Sequence, residues 1–195
     1  MRSRTRSFTA KRAAVIYILG TLTLLIGLVI GLAFPDLDLR VGFLGHRSII
    51  THGVLLPLLL FWLAHLKKHI TTRLLAVGVS LASAIHLCFD LFPRAWIGYA
   101  LIDVPGYGRT SPVFSWLWIA VSMVGCMYLA LSLLSSVFDV LLVAGSLFVA
   151  FSFYAAQESV FWSALAAWVV ATAIALALPS DGGKKLKELG RKLVS

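Results

Sequence analysis

From residue 13 to residue 34 the chain runs 22 residues without a charge. A bilayer core about 30 Å thick needs about 20 such residues in helical form, so this run predicts a first spanning helix. A signal peptide would have an apolar core of only ~7–15 residues and a small-x-small cleavage pattern, whereas Pro35 follows directly here. After a polar segment, Ser48 is a favourable N-cap for a second helix running to about residue 66. Pro57 would kink that helix mildly, because the carbonyl it would crowd belongs to Gly53. Lys67, Lys68, His69 and Arg73 form a basic turn, and a third helix over 74–92 stops before Pro93, where the backbone restriction ahead of proline ends helices.

The longest polar interruption is 93–112, with Trp96, Tyr99 and Tyr107 among Arg94, Asp103 and Arg109. Rings with polar tips favour the membrane–water boundary, so this loop is expected on the bilayer surface or folded over a site beneath it. Pro105-Gly106-Tyr107-Gly108 predicts a turn within it. Three further apolar runs predict helices over about 113–134, 140–156 and 159–178, separated by a turn at Ser135, Ser136 and Asp139 and by Gln157-Glu158. From Asp181 onward, Leu186, Leu189 and Leu193 recur at helical spacing among lysines. That tail reads as a short basic amphipathic helix on an anionic leaflet, with a frayed solvated tail as the alternative.

Composition agrees with the pattern. The chain is 60% hydrophobic and 13% charged, with a mean hydropathy of +0.95. An all-α, polytopic transmembrane bundle of about six helices is the expected fold. It divides into a basic N-terminus (1–12), one transmembrane domain (13–178) and a basic tail (179–195). The net charge of +9 does not point to nucleic acid, because the Lys and Arg residues sit at the chain ends and in one short turn. With six helices, 13 of the 17 basic residues fall on one face, leaving only Arg40, Arg47, Arg94 and Arg109 opposite. The positive-inside rule then makes both termini cytoplasmic, in the inner membrane of a bacterium or archaeon. Cys88 and Cys126 fall inside apolar runs and read as buried free thiols. Homo-oligomerisation is left open.

Against this background two stretches stand out. Residues 35–52 and the later His86-x-x-x-Asp90 gather three of the eight acidic residues and three of the five histidines. The topology brings Asp36 and Asp38 to the outer end of helix one, His46 and His52 to the outer start of helix two, and His86 and Asp90 near the outer end of helix three. His86 and Asp90, four apart, stack on one helix face about 6 Å apart. Asp36 and Asp38 point the same way if their segment is extended. Carboxylates near hydrocarbon are costly unless paired or bound to a cation. Mixed O and N donors without thiolate suit one or two Zn²⁺, Mn²⁺ or Fe²⁺ ions. Such an ion, with an open position, acidifies water for attack on a carbonyl or phosphorus centre. One spare carboxylate, Asp38 for example, would act as base, and Arg47, with Arg94 and Arg109 from the loop, would anchor an anionic substrate group.

Pro35-Asp36-x-Asp38, Gly45-His46-Arg47-Ser48-x-x-Thr51-His52 and His86-x-x-x-Asp90 together resemble the bacterial membrane-bound metal-dependent hydrolases of the YdjM type. That family carries an acidic pair, a His-Arg-Gly-x-Thr-His-Ser block and a later His-x-x-x-Asp. The resemblance covers residues 30–92 and implies that Asp36, Asp38, His46, His52, His86 and Asp90 form the metal site of a hydrolase. Here the His46–His52 block is one residue longer, and Gly53 stands where the family has serine. An extra residue inside a helix would turn His52 by about 100°, whereas one ahead of the helix would be absorbed in the loop.

The expected substrate is an ester, amide or phosphoester of a lipid or cell-envelope component at the outer leaflet. A non-enzymatic membrane subunit whose His/Asp cluster is structural is the alternative. Ion translocation ranks third, since helices one, four and six carry no charge within their runs. Taken singly, Asp36 and Asp38 could be solvated loop acids, His86 and Asp90 an interhelical hydrogen bond, Asp103 the partner of Arg94 or Arg109, and Glu158 a turn acid. His65 and His69 are expected at the surface. No glycine-rich phosphate loop, nucleophile elbow or Cys-x-x-Cys is present.

Overall fold

The computed structural model describes residues 2–155 and 160–179, together with Lys184 and Glu188. Gln157-Glu158 and nearly all of the basic tail, for which a turn and an amphipathic helix are expected, lie outside the described residues. The described chain is all-helical: α1 Arg2–Ala33, α2 Leu55–Lys67, α3 Ile70–Asp90, α4 Pro112–Ser132, α5 Val137–Ala155 and α6 Phe161–Ala177. Its only strands among these residues are β1 Asp103–Val104 and β2 Gly108–Arg109, a two-stranded antiparallel hairpin. Three segments are long and apolar enough to cross a membrane: Ala14–Ala33, Ile70–Asp90 and Pro112–Ser132. The helices α2, α5 and α6 are apolar but shorter.

The bundle is built around α3. Its run Ala76, Gly78, Ser80, Ala82, Ser83, Ala84 is small and wholly buried, so neighbouring backbones approach closely. On α1 the matching feature is Gly27-x-x-x-Gly31. A Cβ on Gly27 would collide with the Leu75 carbonyl, one on Gly31 with that of Val79, and one on Gly78 with that of Leu24. The α1–α3 contact is therefore backbone against backbone. One consequence is local: the last turn of α1 presents its carbonyls to the C-terminal half of α3.

The second helix starts later than Ser48. Residues 47–54 form turns, and α2 begins at Leu55 with Pro57 as its third residue. Proline is tolerated there, because the first-turn N–H groups have no intrahelical partner in any case. Pro57 thus marks the first turn of the helix and makes no mid-helix kink. Downstream, Lys68 closes α2 in a left-handed conformation (φ 52°). Ser111 caps α4, accepting from the Phe114 amide at 3.3 Å, with Pro112 at the first helical position.

The α4–α5 turn is a reciprocal cap. The Asp139 amide donates to Ser136 Oγ at 3.2 Å, and Asp139 Oδ2 accepts from the Ser136 amide at 3.2 Å. Asp139 also receives Arg73 of α3, whose Nη1 donates to the Leu133 carbonyl as well, at 2.9 Å. Arg73 is therefore a first-turn residue of α3 engaged in an ion pair, and is not part of an exposed basic turn. Residues 91–111 fold back as a short 3-10 turn (Gly98–Ala100) and the hairpin. The expected turn is present: the Tyr107 amide donates to the Val104 carbonyl at 2.9 Å, with Gly106 at φ 82°, the conformation that glycine permits after proline.

Candidate metal centre

All six acidic and imidazole groups singled out by the sequence come together at the Asp90 end of α3. Asp36 and Asp38 stand on a 3-10 turn, Pro35–Leu39, directly after α1. They are not an extended pair: Asp38 is buried and Asp36 is exposed. His46 and His52 lie on the loop before α2, and His86 and Asp90 on the last turns of α3.

The loop is shaped by backbone conformations that flank His46. Gly45 (φ 67°) and Arg47 (φ 59°) are both left-handed, which is uncommon for a residue with a long side chain and is held here by the surroundings. The Ile49 amide donates to the Asp103 carbonyl at 2.8 Å and the Asp103 amide to the Arg47 carbonyl at 3.0 Å, so the 91–111 loop clamps this segment. The β-ladder sets Asp103 opposite Arg109, but among the described residues Asp103 makes no ion pair with Arg94 or Arg109. Since 47–54 is not helical, the placement of His46 and His52 is set by the loop and not by helical periodicity. Gly53 also has a role of its own. A Cβ there would stand 3.0 Å from the Trp118 ring, whose Nε1 donates to the His52 carbonyl at 2.8 Å.

Two of the imidazoles are oriented through Nδ1. His86 Nδ1 lies 3.1 Å from the Leu32 carbonyl, which can only accept, so Nδ1 carries a proton and Nε2 is the nitrogen that faces the site. His52 Nδ1 lies 3.1 Å from Asp38 Oδ2. This is the carboxylate–histidine arrangement that fixes a ligating ring. Asp38 is itself held: its Oδ2 accepts from the Ser48 amide at 2.9 Å and the Thr51 hydroxyl at 3.1 Å. Burial alone would push its carboxyl up, but His52, Ser48 and Thr51 together hold it below the usual carboxylate range.

Both Nε2 atoms face Asp90 Oδ2, at 3.5 Å from His52 and 3.4 Å from His86, and His86 Nε2 lies 3.8 Å from Asp36 Oδ1. Donors each 2.0–2.1 Å from one tetrahedral ion stand roughly 3.3–3.4 Å apart, so the two separations at Asp90 are those of ligands to one cation and the Asp36 contact is longer. Asp36, His52 and His86 can offer one ligand atom each, all within 4.8 Å of one another. Asp90 Oδ2 is buried without a hydrogen-bond partner among the described residues, although its other oxygen takes Arg47 Nη2 at 2.7 Å. Buried polar atoms are normally satisfied, and a cation at this point would satisfy Oδ2.

The sixth residue, His46, faces Asp38 Oδ1 at 3.7 Å, and both of those atoms are likewise buried and unpartnered. Its ring also lies 5.9 Å from that of Tyr99. The structure thus separates the six groups into a cluster of four (Asp36, His52, His86 and Asp90) and an adjoining pair, Asp38 and His46.

Arg47 does not reach outward as an anchor for substrate. It is 7% exposed, its Nη1 donates to the Ala100 carbonyl at 2.9 Å and the Asp90 carbonyl at 3.3 Å, and it lies over the Trp96 ring at 5.9 Å. Its task is to hold Asp90. Arg94 and Arg109 are exposed, as are His65 and His69. Cys88 and Cys126 are free and buried, outside the site. Thr51 stood in the motif without a role, which the structure supplies at Asp38, and sequence reasoning missed Trp118 and the Leu32 carbonyl. Of these two only the carbonyl had a signal, the Gly27-x-x-x-Gly31 pattern that brings α1 onto α3. Comparisons of the chain with protein families, with characterised proteins and with solved structures find no match.

Proposed function

We propose that this protein is a metal-dependent hydrolase of the YdjM type, embedded in a cell membrane by six spanning helices with both termini cytoplasmic. The observation that carries the metal site is Asp90 Oδ2, buried without a hydrogen bond among the described residues and flanked by two Nε2 atoms at 3.5 and 3.4 Å. Asp36, His52, His86 and Asp90 would hold the ion, and the O/N donor set suits Zn²⁺ or Mn²⁺. When bound, such an ion lowers the pKa of water towards 7 and polarises the bond under attack. Asp38 and the Leu32 carbonyl keep the two imidazoles in the ligating tautomer, and Arg47 keeps one oxygen of Asp90 turned inward. His46, backed by Asp38 Oδ1, would take a proton from water as its oxygen adds to a carbonyl or phosphorus centre. That proton then passes to the leaving oxygen or nitrogen.

Metal content of the purified protein tests this directly. His86→Ala and Asp90→Ala are expected to lose the bound ion while the protein still inserts and elutes as a folded species. Undiminished metal in both variants would sink the reading. A second reading, a non-enzymatic subunit, draws support from the way Asp38 and Arg47 knit two loops and the end of α3 together. An Asp38→Ala, His52→Ala pair that loses a partner protein but leaves the membrane-lipid profile unchanged would favour it.

A further inference from the structure

The cluster of four is open on one side. Asp36 is 53% exposed while the rings behind it are buried, and it stands three residues past the end of α1. The outward face of α1 is apolar through Val29 and Ile30, and Leu37 and Leu39 continue that surface beside Asp36. Three more side chains on the loops at this end turn large apolar surfaces outward: Phe43 (77% exposed), Ile97 (70%) and Tyr107 (82%). Single exposed apolar side chains are ordinary. Several on two loops, at the ends of helices long enough to cross a bilayer, are what a surface seated in the lipid interface carries.

Among these side chains stands a cation without a mate. The Arg109 guanidinium makes no ion pair or hydrogen bond among the described residues, and its Nη1 lies 3.8 Å from where a Cβ on Gly98 would be. Gly98 adjoins Tyr99, the ring packed against His46. An exposed arginine beside a ring of apolar side chains, next to a carboxylate cluster that would itself repel anions, suits one phosphate on an amphiphile.

We infer that the ligand of this site is a phosphate-bearing lipid of the surrounding leaflet, which reaches the centre sideways. Its acyl chains lie along α1 and past Leu37 and Leu39, its phosphate meets Arg109, and its head group comes to the Asp36 side of the cluster. Only the last step rests on the hydrolase reading, since lipid seating and phosphate recognition need no metal.

Two measurements on the full chain in lipid nanodiscs test this. Cys88 and Cys126 are buried, so a bimane label on Phe43→Cys or Tyr107→Cys reports the introduced site. Quenching by phosphatidylcholine carrying a nitroxide near its head group, and not by aqueous iodide, is expected. Iodide quenching alone at both positions would overturn the seating. Native mass spectrometry then counts retained phosphatidylglycerol and, as the phosphate-free control, diacylglycerol. Arg109→Gln is expected to lower phosphatidylglycerol retention about tenfold, the scale of one charge-assisted hydrogen bond, and to leave metal content and diacylglycerol retention as they were. Equal retention of phosphatidylglycerol by the wild type and Arg109→Gln would overturn phosphate recognition. A wild type that holds lipid as described but no metal would support this inference and sink the hydrolase.

Discussion

The two ends of α3 both bury charge, and they do so differently. At the Ile70 end, Asp139 is met on every side: by Arg73, by the Ser135 amide and hydroxyl at 2.8 and 3.0 Å, and by the Ser136 amide at 3.2 Å. No atom of Asp139 or Arg73 is buried without a partner. At the Asp90 end, Asp38 Oδ1, His46 Nδ1 and Asp90 Oδ2 are all buried without a hydrogen-bond partner among the described residues. Burial of an ionisable group is therefore not itself the mark of a site. The mark is capacity left unfilled, with donors spaced as one cation would need them.

The strongest way to break this contrast is at the saturated end. Asp139→Ala leaves Arg73 and two serine amides without their acceptor, and is expected to cost about 3–5 kcal/mol, read as a large fall in thermal midpoint in detergent. Replacing both partners, Arg73→Met with Asp139→Leu, should recover most of that loss and leave metal content untouched. A double variant that loses metal would show that the two ends are coupled and remove the distinction.

Next in size is the α1–α3 contact. Gly31→Val drives a side chain into the Val79 carbonyl, costing about 1–3 kcal/mol, and by moving the Leu32 carbonyl it should also weaken metal retention. Gly42→Ala, with nothing near its Cβ, is the control and should change neither property. At the site end, Asp38→Asn removes the carboxylate behind His52 and should lower metal affinity by 10–100-fold, roughly 1.4–2.7 kcal/mol, in chelator competition. Unchanged affinity would make Asp38 a loop acid and no more. The smallest expected effect is Ser111→Ala, which removes the cap of α4 and should cost about 1 kcal/mol with no change in metal.

Much of this contrast was legible in the chain. His86 and Asp90 fall on one face of a helix because 3.6 residues make a turn, and the uncharged runs require helices of known length. The pair Arg73 and Asp139 was not legible, since each had a plausible local role in a turn, and 66 residues separate them. Nor was the start of α2: Ser48 is an acceptable cap on propensity alone, but its amide goes to Asp38 and the helix begins only at Leu55. The hydrogen-bond partners of Arg47 and Asp38 were not legible for the same reason. A guanidinium or a carboxylate serves equally well as ligand, base, anchor or brace, and only its neighbours decide which.

The sequence by itself determined that the chain is helical and rich in segments fit for a membrane, and that its acids and imidazoles sit in a few short stretches. These properties follow from periodicity, hydropathy and spacing, which act over a few residues. The tertiary structure alone decided which nitrogen of each histidine faces inward, which carboxylate oxygen stays unmet and which arginine is already engaged. Those depend on contacts between α1, α3, α4 and the two loops, where ångström-scale placement of backbone carbonyls and amides sets the chemistry that each side chain can perform.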